Sequence, residues 1–302
     1  MKTKFCALLL ALLCLTGCGG SGARNLTAGQ GARAPAPQPP ADAEAAALTE
    51  FSLNLLRENW TGEDILLSPL SVLSALGMAA NGARGETLDQ MEAVLGLPLE
   101  ELNRVLSAWA GNLPRDETVN LANSLWLRDD GSFEPAPAFL RAAAEGYGAE
   151  VFAVPFDAST LQDLNRWVDR NTRGMIPEIL DEIPEAAVLY LVNALALEAE
   201  WETIYREDQV REGTFTTEAG EARPGQFLHS MEGHYLEGSG ARGFWKPYKG
   251  GRWAFAALLP EEGLEDYLAS LTGETLQALL RGAEEAPVEA AIPKFQCRYG
   301  AA

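Results

Sequence analysis

Residues 188–201, VLYLVNALALEAEW, carry the strongest fold signal of the chain. From Val188 to Leu197 every residue except Asn193 is apolar. Such a run, without alternation of apolar and polar side chains, predicts a strand that is covered on both faces at the centre of a sheet. A buried helix is the alternative, because Leu and Ala also favour helices. Pro184 before the run and the acidic residues after it favour the strand.

A polar side chain inside such a strand needs hydrogen-bond partners, because an unpaired buried amide is costly. Asn193 is that residue, and Ser68 and Ser71 are candidates for its hydrogen-bond partners. Ser68-Pro69 opens a predicted helix of small and apolar residues that ends at Gly82. Hydroxyl groups at the start of a buried helix can cap its backbone or satisfy a strand amide. Simple N-capping by Ser68 is the alternative interpretation.

The N-terminus has the pattern of an export signal. Lys2 and Lys4 precede an apolar stretch at 5–15, which is too short to span a bilayer. The following LTGC, which ends at Cys18, resembles the lipobox of bacterial lipoproteins. That resemblance implies cleavage before Cys18, acylation of this cysteine and anchoring to a membrane of the cell envelope. An ordinary signal peptide with an incidental cysteine is the alternative.

Composition divides the chain into three parts. Residues 1–18 are the predicted signal peptide and lipobox, and residues 19–42 are rich in Gly, Ala, Pro, Gln and Ser. The second part has too few large apolar side chains to offset the entropy of ordering, so it is predicted to be a disordered tether. Residues 43–302 are long enough for one domain with a substantial core.

Charge and cysteine usage exclude several classes of protein. The formal charge of −20 makes nucleic acid and anionic lipid surfaces poor partners. Cys6 and Cys14 lie in the signal peptide and Cys18 is the predicted anchor, so Cys297 is left alone. No disulfide framework is therefore expected.

The sequence also argues against an enzyme. His229 and His234 are the only histidines, and a spacing of five places them on one face of neither a helix nor a strand, so no metal site is predicted. The motifs GxSxG and HExxH and the phosphate-binding P-loop do not occur. Cys297 has no visible base to activate it. No cofactor is predicted.

Several blocks in one order resemble the serpin family over residues 43–299. The central block, 193–201, has Asn193 followed by Trp201 eight residues later. The others are 66–96 (LLSPLSVLSALGMAANGARGETLDQMEAVLG), 119–127 (VNLANSLWL), 165–179 (NRWVDRNTRGMIPEI), 247–260 and 288–295 (VEAAIPKF). The resemblance implies an α+β fold, with N-terminal helices packed on a large mixed or antiparallel sheet and further small sheets. It makes residues 288–295 the last strand of the large sheet.

The resemblance also implies roles for individual residues. Ser68, Ser71 and Asn193 correspond to a hydrogen-bonded cluster that controls where the sheet parts to admit a new strand. Trp201 corresponds to the aromatic residue at the top of that gap. Glu198 and Glu200 stand where the family usually has basic residues, so no polyanion partner follows from the family pattern.

The function implied by the resemblance is protease inhibition. In serpins a serine or cysteine protease cleaves an exposed loop, which inserts into the main sheet as an extra strand. The hinge and loop follow the VExxxPKF block, and the sequence ends at Ala302, so we expect the loop to be absent from this chain. The Asn193 strand would then expose an edge or pair with the strand around Ile292, and self-association by strand exchange is possible. A non-inhibitory, lipid-anchored binding module is the alternative function.

Overall fold

The computed structural model describes residues 23–28, 39–113, 118–131, 134–217, 219–297 and 299–300. The predicted anchor Cys18 and most of the predicted tether lie outside these ranges. The described chain forms helices packed on two sheets, which confirms the α+β class. The helices are α1 (Asp42–Asn59), α2 (Pro69–Ala80), α3 (Glu86–Leu95), α4 (Leu99–Asn112), α5 (Pro137–Arg141), α6 (Ala158–Asn171), α7 (Leu264–Ser270) and α8 (Gly273–Arg281). Two short turns of other helix type, Ala142–Gly146 (π) and Glu207–Gln209 (3₁₀), complete the helical part.

The strands divide between two sheets. They are β1 (Arg24–Asn25), β2 (Val119–Arg128), β3 (Glu150–Val154), β4 (Leu189–Leu197), β5 (Val210–Thr216), β6 (Ala222–Gly238), β7 (Ala241–Pro247), β8 (Ala254–Pro260) and β9 (Glu284–Pro293). The first sheet has the order β1-β3-β2-β4, in which β2 and β3 are parallel and the other pairs are antiparallel. The second has the order β5-β6-β7-β8, and β9 also pairs with β6. The predicted strand at 188–197 is confirmed as β4.

Apolar side chains cover both faces of the first sheet. On one face Leu125 packs with Leu73 and Leu106 from the helices, in a cluster to which Leu189 and Leu191 of β4 also belong. On the other face the apolar stripe of α6 packs against Val192 and Ala194 of the same strand. Alternate residues of β4 therefore enter different cores, which explains why its sequence is apolar without alternation.

Helix α2 packs closely against Tyr147 in the first core. Gly77 of α2 lies so near Tyr147 that a Cβ atom there would be 2.7 Å from the tyrosine oxygen. The hydroxyl of Tyr147 donates a hydrogen bond to Asn103 Oδ1 at 2.6 Å, and burial raises the pKa of this tyrosine. The helix predicted after Ser68 is thus buried, as its composition indicated.

Residues 23–28, which lie within the predicted tether, contact the first sheet, and disorder of the tether as a whole stays a prediction. Arg24 and Asn25 form β1, which pairs with Ala153 and Phe152 of β3. Next to this strand Leu26 packs against the larger core, and the hydroxyl of buried Thr27 accepts a hydrogen bond from the Val151 amide at 3.0 Å. The edge of β3 supplies the backbone partners of this segment, and Leu26 and Thr27 add one apolar contact and one hydrogen bond.

Candidate functional site

The outer edge of β4 is unpaired within the described chain. On its other edge β4 pairs with β2, from Leu197 opposite Val119 to Leu189 opposite Leu127. Two backbone bonds close the ends of the ladder: Glu198 N donates to Thr118 O at 2.9 Å, and Arg128 N donates to Val188 O at 3.0 Å. They show that the backbone N–H and C=O groups of the even-numbered residues of β4 point toward β2. Because backbone groups alternate in direction, those of the odd-numbered residues, Asn193 among them, point to the open edge. An added extended segment would find hydrogen-bond partners there.

Two expectations about sheet order are wrong. β4 does not lie at the centre of its described sheet, and residues 288–293 are not a strand of that sheet. Of the two alternatives for β4, the described chain shows the exposed edge and not pairing with the strand around Ile292. Residues 288–293 belong to β9, which pairs with β6 of the second sheet, with Ile292 opposite Leu228. In β9 the covered side chains of Val288, Ala290 and Ile292 alternate with the exposed side chains of Glu289 and Ala291. This is the pattern of a strand with one solvent face, unlike the first sheet, which is covered on both faces.

The predicted cluster of two serines and Asn193 is divided in the structure. Ser68 and Ser71 are joined to each other, with 2.7 Å between their Oγ atoms, and Ser68 Oγ caps α2 by accepting from the Ser71 amide at 3.4 Å. Asn193 Nδ2 instead donates to Oδ1 of Asn123 on β2 at 2.8 Å. Within the described residues no hydrogen bond links the serines to Asn193. A shared role of the three in sheet opening stays a prediction.

Asn123 is a site residue that the sequence analysis missed. It lies directly opposite Asn193 in the β2–β4 ladder, is 3% exposed and donates through Nδ2 to the carbonyl oxygen of Tyr147 at 2.8 Å. Asn193 Oδ1 is buried and has no hydrogen-bond partner among the described residues. The sequence signal was weak, since the strand that contains Asn123 also contains Asn120 and Ser124. The two facing amides therefore form one buried polar contact across the ladder.

Replacing Asn123 with leucine is expected to lower the free energy of unfolding by about 1–3 kcal/mol, because the Asn193 amide and the Tyr147 carbonyl both lose their partner. The double replacement N123L/N193L should recover part of this loss, because it leaves no unpaired buried amide. Urea unfolding of the two single variants and the double variant measures the coupling. A loss in the double variant equal to the sum of the single losses would contradict this pairing.

The aromatic residue at the end of β4 is tied to the second sheet. The ring of Trp201 stacks on that of Tyr248, with centroids 4.5 Å apart, and meets the rings of Tyr205 and Phe255 edge-on. Backbone bonds flank it, from Glu202 N to Pro247 O at 3.1 Å and from Lys249 N to Glu200 O at 2.8 Å. Trp201 therefore joins the end of the unpaired strand to the second sheet. Its role at the top of an opening gap stays a prediction.

The two acidic residues near Trp201 make exposed ion pairs. Glu198 pairs with Arg173 at 3.2 Å, and Glu200 pairs with Lys249 at 2.9 Å. Exposed pairs of this kind contribute little to stability, with a typical range of about 0–1 kcal/mol. Glu198 and Glu200 thus lie on the surface, and each has a basic partner nearby.

The remaining candidate groups do not gather into a second site. His234 stacks face to face on Trp245, with ring centroids 3.6 Å apart, and His229 lies opposite Ala291 in the β6–β9 ladder. Among the residues that the structure describes, no group of three or more His, Cys, Asp or Glu side chains could hold a metal ion. Cys297 is half-buried and forms no disulfide with any residue in the described ranges. No helix in the described ranges is both long enough and apolar enough to cross a membrane.

Comparison of the sequence with families and curated proteins gives consistent matches. A family model described as "Serpin (serine protease inhibitor)" matches residues 46–301. The chain is 28% identical over 265 residues to an uncharacterized serpin-like protein of Thermococcus kodakarensis, covering 83% of this chain and 61% of that protein. It is also 28% identical over 274 residues to the leukocyte elastase inhibitor of Bos taurus, covering 83% of this chain and 72% of the inhibitor. The chain thus spans about three fifths to three quarters of the length of these relatives.

Solved structures match the fold as well. The thermophilic serpin tengpin in its native state superposes with a TM-score of 0.83 at 38% identity, covering 90% of this chain and 72% of tengpin. Tengpin in its latent state gives a TM-score of 0.79, with coverage of 85% and 72%. These proteins are inhibitors by family rather than catalysts, in agreement with the prediction that the chain is not an enzyme. The chain belongs to the serpin family.

Proposed function

We propose that this chain is the larger part of an exported, lipid-anchored serpin that inhibits a serine or cysteine protease by loop insertion. The match of residues 46–301 to the serpin family model carries the proposal, and the geometry of β4 supports it. In this mechanism the main sheet parts and the cleaved loop becomes one of its strands, so the loop needs the ladder edge of a neighbouring strand whose backbone groups can be freed to pair with it. The odd-numbered residues of β4 offer such an edge.

The comparisons support the class of target. The matching family model describes serine protease inhibitors, and one similar protein carries the name leukocyte elastase inhibitor. The target of this chain is proposed only as a serine or cysteine protease, since specificity resides in the inserted loop. Membrane anchoring through acylated Cys18 is proposed from the lipobox-like LTGC and the preceding apolar stretch.

The test begins with the genomic DNA read through and past codon 302. If a reading frame continues with a hinge, a loop and closing strands, the whole product is made and mixed with a panel of serine and cysteine proteases that includes an elastase. We expect at least one protease to be inactivated and to form a complex with the product that survives denaturing electrophoresis. A variant with charged residues in the hinge should be cleaved without trapping the protease.

A second outcome would change the assignment. If a stop codon follows and the 302-residue protein is made, a stable monomer that inactivates no protease would contradict inhibition and favour a non-inhibitory binding module. Anchoring is tested separately with C18S. This variant should lose acylation and move from the membrane fraction to the soluble fraction, and retention in the membrane fraction would contradict the anchor.

A further inference from the structure

A buried ion pair lies beside Trp201. Lys246 on β7 and Glu232 on β6 approach to 2.7 Å between Nζ and Oε1, and their side chains are only 3% and 7% exposed. Removing two charges from water is costly, and a pair of this kind is often no more stabilising than apolar residues of similar volume. Stability alone therefore does not explain why this ion pair is buried between two neighbouring strands.

The ammonium group of Lys246 is directed at aromatic rings as well as at the carboxylate. Its Nζ atom lies 4.8 Å from the ring centroid of Tyr205 and 5.7 Å from that of Trp201. A cation over an aromatic face is attracted by the ring, and more strongly where water is excluded. Lys246 thus contacts the aromatic cluster that closes the end of β4.

The carboxylate of Glu232 is held in place from a second direction. Ser230 Oγ donates to Glu232 Oε1 at 2.5 Å and also lies 3.4 Å from the hydroxyl oxygen of Tyr205. The pair and its neighbours line a cavity of about 340 Å³, together with Thr203, Ile204, Gln209, Met231, Gly233, His234 and Pro247. One network therefore connects β6, β7 and the segment that follows Trp201.

The backbone places this network next to the open edge. Pro247, the residue after Lys246, accepts the bond from Glu202, and Lys249 donates to Glu200. Between these two positions Trp201 pairs with Tyr248 across an isolated bridge. Lys246 is thus connected through a few residues of hydrogen-bonded backbone to the end of β4, where Glu198 closes the ladder with β2.

We propose that the Lys246–Glu232 pair is a latch that positions Trp201 and thereby determines how readily the end of β4 opens to a new strand. This inference deepens the proposed function and rests on it, because strand insertion is the event that the latch would regulate. Lys246 and Glu232 act as positioning residues through Trp201 and Tyr205. The prediction is that loosening the latch frees the end of β4 before it affects the rest of the fold.

The test measures amide hydrogen exchange in the 302-residue chain, following the amides of Ala196 and Glu198 at the end of β4. K246M retains an unbranched side chain against the rings but removes the charge, and E232Q retains an acceptor for Ser230. Each single variant is expected to raise the exchange rate of these amides at least tenfold. K249M is the matched control, because it removes the same charge from an exposed pair three residues away and should change the rate less than twofold.

The double variant K246M/E232Q separates positioning from stability. It contains no unpaired buried charge, so its urea midpoint should return close to that of the wild type. Exchange at Ala196 and Glu198 should nevertheless stay at least fivefold faster, since no cation lies over Trp201. The single variant K246R keeps the charge and can stack on the rings, so its amides should exchange as slowly as those of the wild type.

Two results would overturn the latch. One is recovery of both the urea midpoint and the slow exchange in the double variant, which would make the pair purely structural. The other is single variants that exchange no faster than K249M. Because exchange is measured without a protease, absence of inhibition by the whole product would refute the proposed function and leave the exchange result standing.

Discussion

Replacing Gly273 with alanine is expected to lower the free energy of unfolding by about 3 kcal/mol, the upper part of the range for overpacking. Gly273 is the first residue of α8, and a Cβ atom there would lie 2.0 Å from the carbonyl oxygen of Ala46 and 2.7 Å from the amide nitrogen of Glu50. Both atoms belong to the backbone of α1, so no side chain can rotate away. The two helices would have to move apart.

The same movement would break a second contact. The amide of Gly273 donates to Glu50 Oε2 at 2.6 Å, and Arg57 donates to Glu50 Oε1 at 3.0 Å. Partial burial raises the pKa of Glu50, but these two hydrogen bonds outweigh that effect and hold the pKa below its ordinary value. Separation of α1 from α8 would therefore also remove the donor that helps to keep this carboxylate ionised.

Urea and thermal unfolding measure the effect of G273A. For a domain of this size, a loss of about 3 kcal/mol corresponds to a decrease in Tm of roughly 6–12 °C. G225A is the matched control, because a Cβ atom at Gly225 has no neighbour within 4 Å and the residue lies in an ordinary strand. That variant should stay within about 0.5 kcal/mol of the wild type or gain slightly. Equal losses in both variants would contradict the close contact between α1 and α8.

Proline scanning at the end of β4 should separate two neighbouring positions by about 2 kcal/mol or more. Ala196 is an even-numbered residue, so its amide faces β2, and A196P should cost about 3 kcal/mol or more through loss of a ladder bond and clash in a buried position. Leu197 is 45% exposed and its amide points to the open edge, where proline is tolerated. L197P should therefore cost only about 1 kcal/mol.

The same pair of variants tests whether the open edge recruits other chains. L197P removes one donor from that edge, so any concentration-dependent association through β4 should weaken in this variant, as measured by light scattering after size exclusion. A196P would not discriminate, since it perturbs the ladder itself. If L197P proves as destabilising as A196P, the assignment of backbone direction along β4 is wrong. If association is unchanged in a folded L197P, it does not proceed through this edge.

The sequence was most informative where a local pattern determines a local structure. The unbroken apolar run predicts a strand covered on both faces, and β4 is that strand, with Val192 and Leu191 in different cores. Ser68-Pro69 predicts the start of a buried helix, and Ser68 caps α2. These signals depend on neighbours in sequence, so no knowledge of the remaining chain was needed.

Sheet order and the buried polar contacts were not predictable in the same way. The partner of residues 288–293 is set by the free edge of β6, which is distant in sequence. Asn123 becomes informative only once it is known to lie opposite Asn193. Nothing in the local sequence distinguishes Lys246 and Glu232 from exposed charges, and their burial follows from the pairing of β6 with β7. Long-range pairing supplies each of these facts.

If Cys18 is acylated as proposed, the short strand β1 also limits the distance between the domain and the membrane. Only five residues separate Cys18 from Arg24. Fully extended, this segment would span roughly 20 Å between an acylated cysteine and the edge of β3. A free segment as far as residue 42 would allow several times that distance. With β1 docked, the domain would stand close to the lipid surface with its β3 side inward, and a soluble protease would have to approach from the side that faces away from the membrane.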